Sequence, residues 1–411
     1  MANLLTEPKR GNHFDGFGPS ILVQQMRGRQ KRITIPTDRL EGRKLLREAC
    51  PSVPGVYGWL DEHRQLIYVG KSKSLRKRLL SYFAKTPADN KMERIRQHSV
   101  TIVWEPISHE LLALIREQEL IHRWRPDFNS QGQPTRMQPA FLCIAGSPAP
   151  NARLARRLNG QHLHAFGPIS GTKYLRQAIV SFNQVFQLRD CPDKTKFEFQ
   201  SQRMLFDDPA TAKCIRHELG TCPGPCASMC SAQTYSDLIE KALSFLHGDS
   251  SATLEALEAK MTAAAAKSAF ESAAIYRDCL DNLTWLDRRL NGLRMADQNL
   301  NGILEIEARR KRKAWMVLRG GRIIASVPKP DTARKAGEVQ QFIDASLKSA
   351  TELPVTLLEM SLQLIIISWF RKHPEIKNQM LNRQQQQDNF GGAVFSAEIG
   401  KGLTKATSID C

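Results

Sequence analysis

A short hairpin followed at once by a cationic helix is the feature that most constrains the fold of this chain. In the stretch GVYGWLDEHRQLIYVGKSKSLRKRLLSYF, residues 55–83, two runs have strand character, Val56–Tyr57 and Leu66–Val69. The polar letters DEHR between them indicate a turn, so the two runs predict an antiparallel hairpin. The second strand stops at Gly70, and a serine just beyond it is placed to cap a new helix.

The helix predicted after this hairpin carries only positive charge. No Asp or Glu occurs between Lys71 and Phe83, and the cations at its start are Lys71, Lys73, Arg76, Lys77 and Arg78. A solubilising helix would mix Glu with its lysines, so this segment predicts a polyanion as its partner. The whole chain agrees in sign, because its 411 residues include 59 Lys and Arg against 41 Asp and Glu, a net charge of +18. A chain this basic is expected to meet nucleic acid or another anionic surface.

The distribution of apolar residues predicts a cytoplasmic protein with no membrane partner. The first twenty residues hold charges and glycines where a signal peptide has an apolar stretch. The most apolar run, LQLIIISWF at residues 362–370, is too short to span a bilayer. In a reducing compartment the nine cysteines are expected to be free thiols or metal ligands rather than disulfides.

Shifts in composition along the chain predict an α+β, multidomain protein. Six segments are expected: a basic flexible extension at 1–45, a small α/β domain at 46–132, a linker and cysteine-cluster region at 133–235, a helical hairpin at 250–293, a short α/β region at 294–382 and a disordered tail at 383–411. In the fifth segment Gly320 and Gly321 predict the turn of a second hairpin.

One carboxylate is predicted to point inward from a helix at residues 110–124. On a helical wheel, Glu117 lies in the middle of an apolar arc formed by Ala113, Leu114, Leu120, Ile121 and Trp124. Because an unpaired buried charge is costly, this Glu is expected to have an arginine partner or a metal ion. The wheel by itself favours a structural salt bridge. Arg78 and Tyr82, four residues apart, likewise share one helix face, where packing of a phenol against a guanidinium stem is the default.

Taken together, these parts resemble the GIY-YIG nuclease family. The order is GVY, a hairpin, YVG, a helix with Arg and a later helix with Glu, and Val56 and Val69 stand where that motif has isoleucine. The resemblance implies a small α/β nuclease domain at 46–132. It makes Tyr57 and Tyr68 the motif tyrosines, one of them a general base or a group that orients water. Nearby Lys71 and a metal ion would lower the pKa of that phenol.

The same resemblance gives roles to the remaining polar residues of the motif. Arg78 would bind and stabilise the scissile phosphate. Glu117 would be the single protein ligand of Mg²⁺ or Mn²⁺, a hard cation that keeps most of its waters. Tyr82 and Asn129, the latter in RPDFN, would help to hold the site together.

A run of cysteines follows in the third segment, with the spacing C-x22-C-x7-C-x3-C. The spacing is a weak sign of zinc, suits an iron–sulfur cluster better, and leaves open unrelated buried thiols. FGPI at 166–169, followed by FQLRDC and CPGPC, resembles the cysteine region of the UvrC family. That resemblance implies a 4Fe-4S cluster with four ligands and Cys230 as a spare. The ligands would be Cys191, Cys214, Cys222 and Cys226.

Two amphipathic helices with a break near Lys267–Ser268 are predicted in the fourth segment. Periodicity does not decide whether their alanine-rich faces pack within the chain or against another protein. The letters FESAAIYRD resemble the UVR motif, through which UvrC proteins engage UvrB. The resemblance implies a UvrB-binding hairpin that uses Met261, Phe270, Ala274, Arg277 and Asp278.

The three resemblances follow one another in the order of the UvrC family. They imply a nucleotide excision repair endonuclease that UvrB, and indirectly UvrA, recruits to damaged double-stranded DNA, where it cuts on the 3′ side of the lesion. Family members continue into an RNase H-like domain and helix-hairpin-helix motifs. MVLRGGRIIASV resembles the start of that region, but the short remainder leads us to expect these parts to be missing and leaves a 5′ incision open. A non-catalytic adaptor for DNA and UvrB, and a free-standing GIY-YIG endonuclease, are the alternatives.

Overall fold

The structure of the protein is a computed structural model that describes most of the chain. The described residues are 13–84, 90–130, 138–158, 162–192, 194–200, 214–308, 312–350, 353–354 and 356–381. They fall into two compact units, one formed by the described residues up to 130 together with those from 296 onward, and the other by those of 138–295. The predicted tail at 383–411 lies outside the described residues. The α+β, multidomain fold class is confirmed.

The first unit contains a four-stranded antiparallel sheet flanked by helices. In chain order its elements are β1 (Lys31–Thr34), α1 (Arg39–Ala49), β2 (Gly55–Leu60), β3 (Leu66–Ser72), α2 (Leu75–Ser81), α3 (Asn90–Gln97), β4 (Thr101–Pro106), α4 (Glu110–Trp124) and α5 (Asp127–Ser130). The strand order is β1-β4-β2-β3. β2 and β3 form the predicted hairpin, and every residue of β2 is buried. The central position of β2 fixes the motif strand between two neighbours.

α4 has the bounds predicted from the sequence, because clear signals mark both of its ends. At the start, the ring of His109 accepts a hydrogen bond from the backbone N–H of Leu111. At the end, Arg125 takes a left-handed conformation with φ 45°, and Pro126 follows it. The helix is therefore stopped on both sides by local chemistry that the sequence displays.

The prediction of a flexible extension at 1–45 is wrong for the described residues from 13 onward. β1 pairs with β4, and Asp38 caps α1 by accepting from two backbone N–H groups. Phe14 and Phe17 are 5% and 2% exposed and pack beneath the sheet. Their glycine-rich surroundings have no helical or strand period, so hydrophobic patterning does not reveal that these aromatic rings are core residues.

A second four-stranded sheet completes the first unit. Its elements are β8 (Gly302–Glu307), β9 (Lys313–Arg319), β10 (Arg322–Pro328), α11 (Ala333–Ser349), α12 (Leu357–Lys372) and β11 (Met380–Leu381), with strand order β10-β9-β8-β11. Gly320 and Gly321 have φ of 56° and 73°, as the predicted two-residue turn requires.

Helix α12 contains the apolar run at 362–370 and packs against α4 in a shared core that includes Leu362, Ile366 and Ile115. Thr356 and Glu359 form a capping box at its start. In the described parts of the chain, α12 included, we find no helix with the length and apolar character needed to cross a bilayer.

The second unit is a three-stranded sheet with helices, and it covers the region expected to hold a linker and the cysteine cluster. Its elements are β5 (Ala140–Ala145), β6 (Asn151–Ala155), β7 (His162–Ile169), α6 (Thr172–Val185), α7 (Ile215–Glu218), α8 (Ala232–His247), α9 (Ser251–Ala266) and α10 (Phe270–Asn299). β5 is central in the order β6-β5-β7 and buried throughout. A strand buried on both faces shows no alternation, which hides it from pattern analysis.

The predicted break between α9 and α10 is present, with Ser268 in a left-handed conformation at φ 57°. α10 runs to Asn299, beyond the predicted end of the hairpin at 293. Leu257, Cys279 and Leu283 turn inward to the core of this unit, as their helical spacing predicts.

Candidate active site

Two tyrosines and an arginine form a connected cluster behind β2. The hydroxyl of Tyr57, which is 1% exposed, lies 3.1 Å from the hydroxyl of Tyr82. Arg78 donates from Nε to the Tyr57 hydroxyl at 3.0 Å, and its guanidinium carbon lies 5.3 Å from the centre of the Tyr82 ring. Arg78 lies on α2 and Tyr82 follows its last residue, so the two side chains are one helical turn apart. The guanidinium is therefore fixed by the phenols of Tyr57 and Tyr82 at once.

The glycine of the YVG motif makes this cluster possible. Gly70 is the cross-strand partner of Tyr57 in the β2–β3 hairpin. A Cβ atom at position 70 would lie 2.6 Å from the Tyr57 hydroxyl oxygen, well inside van der Waals contact. Only the absence of a side chain lets the phenol lie across β3 and reach Arg78.

Burial opposes ionisation of two phenols of this cluster, Tyr57 and Tyr82. The lowered pKa expected for a motif tyrosine with a metal ion bound stays a prediction. Burial raises the pKa of Tyr57 above its ordinary value, and this outweighs the opposing effect of Arg78. Burial likewise raises the pKa of Tyr82. Burial alone would lower the pKa of Arg78, but its contacts with Tyr57 and Tyr82 raise it, so the guanidinium stays charged. The buried Tyr57 hydroxyl thus holds Arg78 through a hydrogen bond, and which motif tyrosine acts on water stays a prediction.

Tyr68 differs from Tyr57 because its side chain is only half-buried. Its ring centre lies 6.1 Å from that of Tyr57, and the ammonium nitrogen of Lys91 lies 5.4 Å from its ring centre. Lys91, on α3, was not among the predicted site residues. It lies outside the YVG-to-helix segment, and a single exposed lysine gives no sequence signal that would separate it from a solvated surface charge.

Glu117 is connected to the site through the backbone of β3. Its Oε1 accepts a hydrogen bond from the backbone N–H of Lys71 at 3.1 Å. Burial raises the pKa of this carboxyl to about 7, although the Lys71 ammonium acts in the opposite direction. Within the described residues Glu117 forms no ion pair. The salt bridge that the helical wheel favoured is therefore not present at this position.

The salt bridges of α4 belong to its other face. Arg116 is buried and binds Glu105 and Glu119, each at 2.9 Å, while Arg27 binds Glu105 at 3.1 Å. Glu119 also accepts from the hydroxyl of Ser20 and the backbone N–H of Ile21. This network, Arg27–Glu105–Arg116–Glu119, fastens α4 to β4 and to the N-terminal segment.

Asn129 holds the edge strand of the sheet. Its side-chain oxygen accepts from the backbone N–H of Val69 at 2.7 Å, and its side-chain nitrogen donates to the backbone oxygen of Val69 at 2.8 Å. The two bonds continue the ladder of β3 on its open side. Asn129 is thus placed to support the strand that carries Tyr68 and Lys71.

A divalent cation fits Glu117 on chemical grounds. Its carboxylate is half-buried, has a raised pKa and forms no ion pair within the described residues, so a bound cation would stabilise its ionised form. In the described residues no three His, Cys, Asp or Glu side chains converge to form a metal site. Such an ion would therefore have one protein carboxylate and otherwise water or substrate oxygens.

The five cysteines between residues 191 and 230 of the second unit lie near one another without forming a ligand set. Burial raises the pKa of Cys226, and Cys191 and Cys214 raise it further. Burial raises the pKa of Cys230 to about 11, with additional effects of Cys222 and Cys226. As placed in the described chain, no three of these thiols could hold a metal ion together. They do not fit a cluster as they stand, and the 4Fe-4S cluster stays a prediction.

The predicted partner-binding residues lie on the solvent side of the α9–α10 hairpin. Phe270, the first residue of α10, is 70% exposed. Met261 and Ala274 are half-buried, and Arg277 and Asp278 are exposed and paired with each other at 2.8 Å. Phe270 does not join the core, although its spacing matches the buried residues of α10. An exposed aromatic ring beside charged residues is typical of a protein-binding surface.

Comparison with known protein families finds three consecutive matches. Residues 53–130 match the UvrC-like GIY-YIG domain, residues 140–245 the middle domain of UvrC/Cho excinuclease, and residues 251–283 the UvrB/uvrC motif. These segments account for most of the chain between the N-terminal segment and the end of α10.

The individual relatives that match this chain include UvrC proteins of several organisms. The chain is 34% identical over 256 residues to UvrABC system protein C of Psychrobacter arcticus, covering 61% of this chain and 39% of that protein. It is 32% identical over 237 residues to UvrABC system protein C of Rhodopseudomonas palustris, covering 57% and 32%. The match therefore spans less than half the length of these curated relatives.

Among solved structures, the GIY-YIG N-terminal endonuclease domain of UvrC from Thermotoga maritima, bound to magnesium as its catalytic divalent cation, is 32% identical. The match covers 22% of this chain and 97% of that domain, with a TM-score of 0.20. Residues 53–130, 140–245 and 251–283 are thus similar, in that order, to the GIY-YIG domain, the middle domain and the UVR motif of UvrC proteins.

Proposed function

We propose that this chain is a metal-dependent DNA endonuclease of nucleotide excision repair. The observation that carries the proposal is the environment of Glu117, a half-buried carboxylate with a raised pKa and no ion pair within the described residues. It is bound to the same strand that carries Tyr68 and that holds Gly70 across from Tyr57. A structural carboxylate would be paired, as Glu119 is. A half-buried carboxylate that forms no ion pair within the described residues, in a domain that also holds the Tyr57–Arg78–Tyr82 cluster, suits metal-assisted phosphodiester hydrolysis.

The side chains of the site supply the other requirements of the reaction. In the proposed step the oxygen of a water molecule bonds to phosphorus, the bond to the leaving ester oxygen breaks, and that oxygen takes up a proton. Arg78, fixed by Tyr57 and Tyr82, stabilises the negative charge on the phosphate oxygens. The half-buried Tyr68 is the phenol within reach of a water molecule and orients it for attack. Lys91 and Lys71 add positive charge where the phosphate lies.

Glu117 would hold Mg²⁺ or Mn²⁺ as its single protein ligand. The ion, when bound, neutralises charge that develops on the phosphate oxygens during hydrolysis. The T. maritima domain that this chain resembles is bound to magnesium, its catalytic divalent cation. Asn129 supports the site from the outer edge of β3 without touching the reacting atoms.

We propose damaged double-stranded DNA as the substrate and a cut on the 3′ side of the lesion, in the cytoplasm. UvrB would bind the α9–α10 hairpin around Phe270, with Met261, Ala274, Arg277 and Asp278, and UvrA would act indirectly. The exposed aromatic ring supports this assignment, as does the match of residues 251–283 to the UvrB/uvrC motif. Among the domain limits expected from the sequence, we propose those of the nuclease domain, 46–132, which the match of residues 53–130 supports.

The test is incision of a lesion-bearing, end-labelled duplex with UvrA, UvrB, ATP and Mg²⁺. We expect wild type to make one cut on the 3′ side, and Glu117→Gln to lose at least about a thousandfold in rate. Glu110→Gln is the matched control, because Glu110 lies on the same helix in a surface pair with Lys73. A Glu117→Gln variant that cuts like wild type would overturn the proposed site. Absence of cutting by wild type with UvrB still bound would point to an adaptor.

A further inference from the structure

The sheet and first helix of the second unit contain no acidic residue. From Phe128 to Arg189 the sequence has no Asp and no Glu. The described part of this segment includes β5, β6, β7 and α6. Its cations are Arg153, Arg156, Arg157, Lys173, Arg176 and Arg189. About a quarter of the residues of an ordinary domain are charged with both signs, so an absence of carboxylates over this length leaves a surface of one sign.

Two of these cations have structural partners, and four do not. Arg189 is buried and donates to backbone oxygens, and Arg153 donates to the side chain of Asn151. The other four are exposed, and none of them forms an ion pair or side-chain hydrogen bond with another described residue: Arg156, Arg157, Lys173 and Arg176. Free cations on a carboxylate-free surface attract an anionic partner because no neighbouring group neutralises them.

The solvent face of α6 has the composition of a phosphate-binding surface. Its buried side includes Leu175, Ala178 and Phe182, which pack on the sheet. The opposite side presents Lys173, Arg176 and the 56%-exposed ring of Tyr174. Ammonium, guanidinium and phenol groups all donate hydrogen bonds to phosphate oxygens.

Helix α10 extends this face with a second aromatic ring and a further cation. The ring of Tyr174 lies 5.9 Å from that of Trp285, and the guanidinium carbon of Arg289 lies 5.4 Å from the centre of the Trp285 ring. Arg288 is exposed beside Arg289. Asp281 lies one turn before Trp285 on the same helix, and Asp287, within this stretch, is paired with Arg294 at 2.9 Å. The face formed by α6 and Trp285–Arg289 therefore keeps an excess of positive charge.

We infer that this face, Lys173–Tyr174–Arg176 with Trp285 and Arg289, binds the phosphate backbone of duplex DNA. It rests on the proposed function in that DNA is the substrate, and it assigns to the second unit a contact that the Glu117 site does not make. Charge complementarity selects the partner, because the face has cations on both helices and α6 contributes no carboxylate. Binding is independent of base sequence, since backbone contacts position a duplex without reading its bases.

The experiment measures binding of the full chain to a short undamaged duplex in EDTA, over a range of salt concentrations. Each phosphate contact contributes about 0.9 to the slope of log K against log salt. The double variant Lys173→Gln/Arg176→Gln is expected to reduce that slope by about 2 and to weaken binding at least about tenfold. Tyr174→Phe should weaken it by less, through loss of one hydroxyl.

The matched control is Lys241→Gln/Lys260→Gln, which removes the same charge from exposed positions on α8 and α9. Its slope should stay close to that of wild type. Equal losses in both double variants would mean that net charge alone governs binding and would overturn the proposed face. EDTA prevents metal-dependent cleavage, so binding is measured separately from incision. If the wild-type protein failed to cut DNA while the two double variants still differed in binding, only the endonuclease proposal would be refuted.

Discussion

Two carboxylates on α4, Glu117 and Glu119, have opposite environments although only one residue separates them. Residues i and i+2 of an α-helix are about 200° apart around its axis, so these two side chains point to opposite faces. Glu119 lies within the Arg27–Glu105–Arg116–Glu119 network and accepts from Ser20 and Ile21 as well. Glu117 has a backbone N–H of Lys71 and, within the described residues, no ion pair.

This difference separates the structural face of the helix from the reactive one. On the network face each buried charge has an opposite charge and further hydrogen bonds, so the face can be fully closed to solvent. On the Glu117 face the carboxylate is half-buried and its pKa is raised to about 7 by burial. The network holds α4 by one face, and this keeps Glu117 in position on the opposite face, where it forms no ion pair within the described residues.

The largest effect is expected from breaking the network. Arg116→Met leaves Glu105 and Glu119 buried without their shared cation, and we expect it to lower the free energy of unfolding by about 3–5 kcal/mol. Chemical denaturation would measure this loss. Glu117→Gln, which removes no pair, is the matched comparison on the same helix. A loss below about 1 kcal/mol for Arg116→Met would show that the network is not what fastens α4.

In the absence of metal, Glu117→Gln is expected to raise the free energy of unfolding, by less than Arg116→Met lowers it. The pKa of Glu117 is about 7 in the folded protein against 4.5 for an ordinary Glu, so the folded state binds more protons between these values. Stability contributed by this group therefore falls as pH rises from about 4.5 to about 7. Glu117→Gln has no such titration. Partial exposure reduces the full value of about 1.4 kcal/mol per pKa unit, so the variant should exceed wild type by about 1–2 kcal/mol at pH 8.

Denaturation in EDTA at several pH values would check this difference. The advantage of Glu117→Gln should grow as pH rises from about 4.5 to about 8, because only the wild-type carboxyl ionises in that range. Added Mg²⁺ should stabilise wild type and leave the variant unchanged. A difference between the two proteins that does not vary with pH would contradict the raised pKa.

The smallest effect is expected on the rate of incision, from removal of a cation near Tyr68. Arg116 and Arg27 are committed to carboxylates, whereas Lys91 contacts the ring of Tyr68 on the open side. Lys91→Met should therefore slow incision about tenfold, or about 1.4 kcal/mol in the barrier, with stability unchanged within about 0.5 kcal/mol. Lys44→Met, which changes an exposed lysine of α1, is the control. Equal rates for the two variants would remove Lys91 from the site.

Several elements could be predicted from the sequence because the residues that specify them are neighbours in the chain. The hairpin around DEHR, the bounds of α4, the Gly320–Gly321 turn and the break near Ser268 all follow from residues a few positions apart. The inward position of Glu117 was also predictable, because helical spacing places it among apolar residues. These features depend on backbone conformations and periods that neighbouring residues specify.

Which charges pair with one another depends on the tertiary structure. Arg27 and Glu105 are 78 positions apart, and Ile21 and Glu119 are 98 apart. No periodicity links them, so the sequence could not reveal that the arginine pairing expected for Glu117 belongs to Glu119, or that Lys91 lies over Tyr68. Spacing likewise could not show whether the five thiols converge. Long-range pairing depends on how separate elements pack, and packing is a property of the folded chain as a whole.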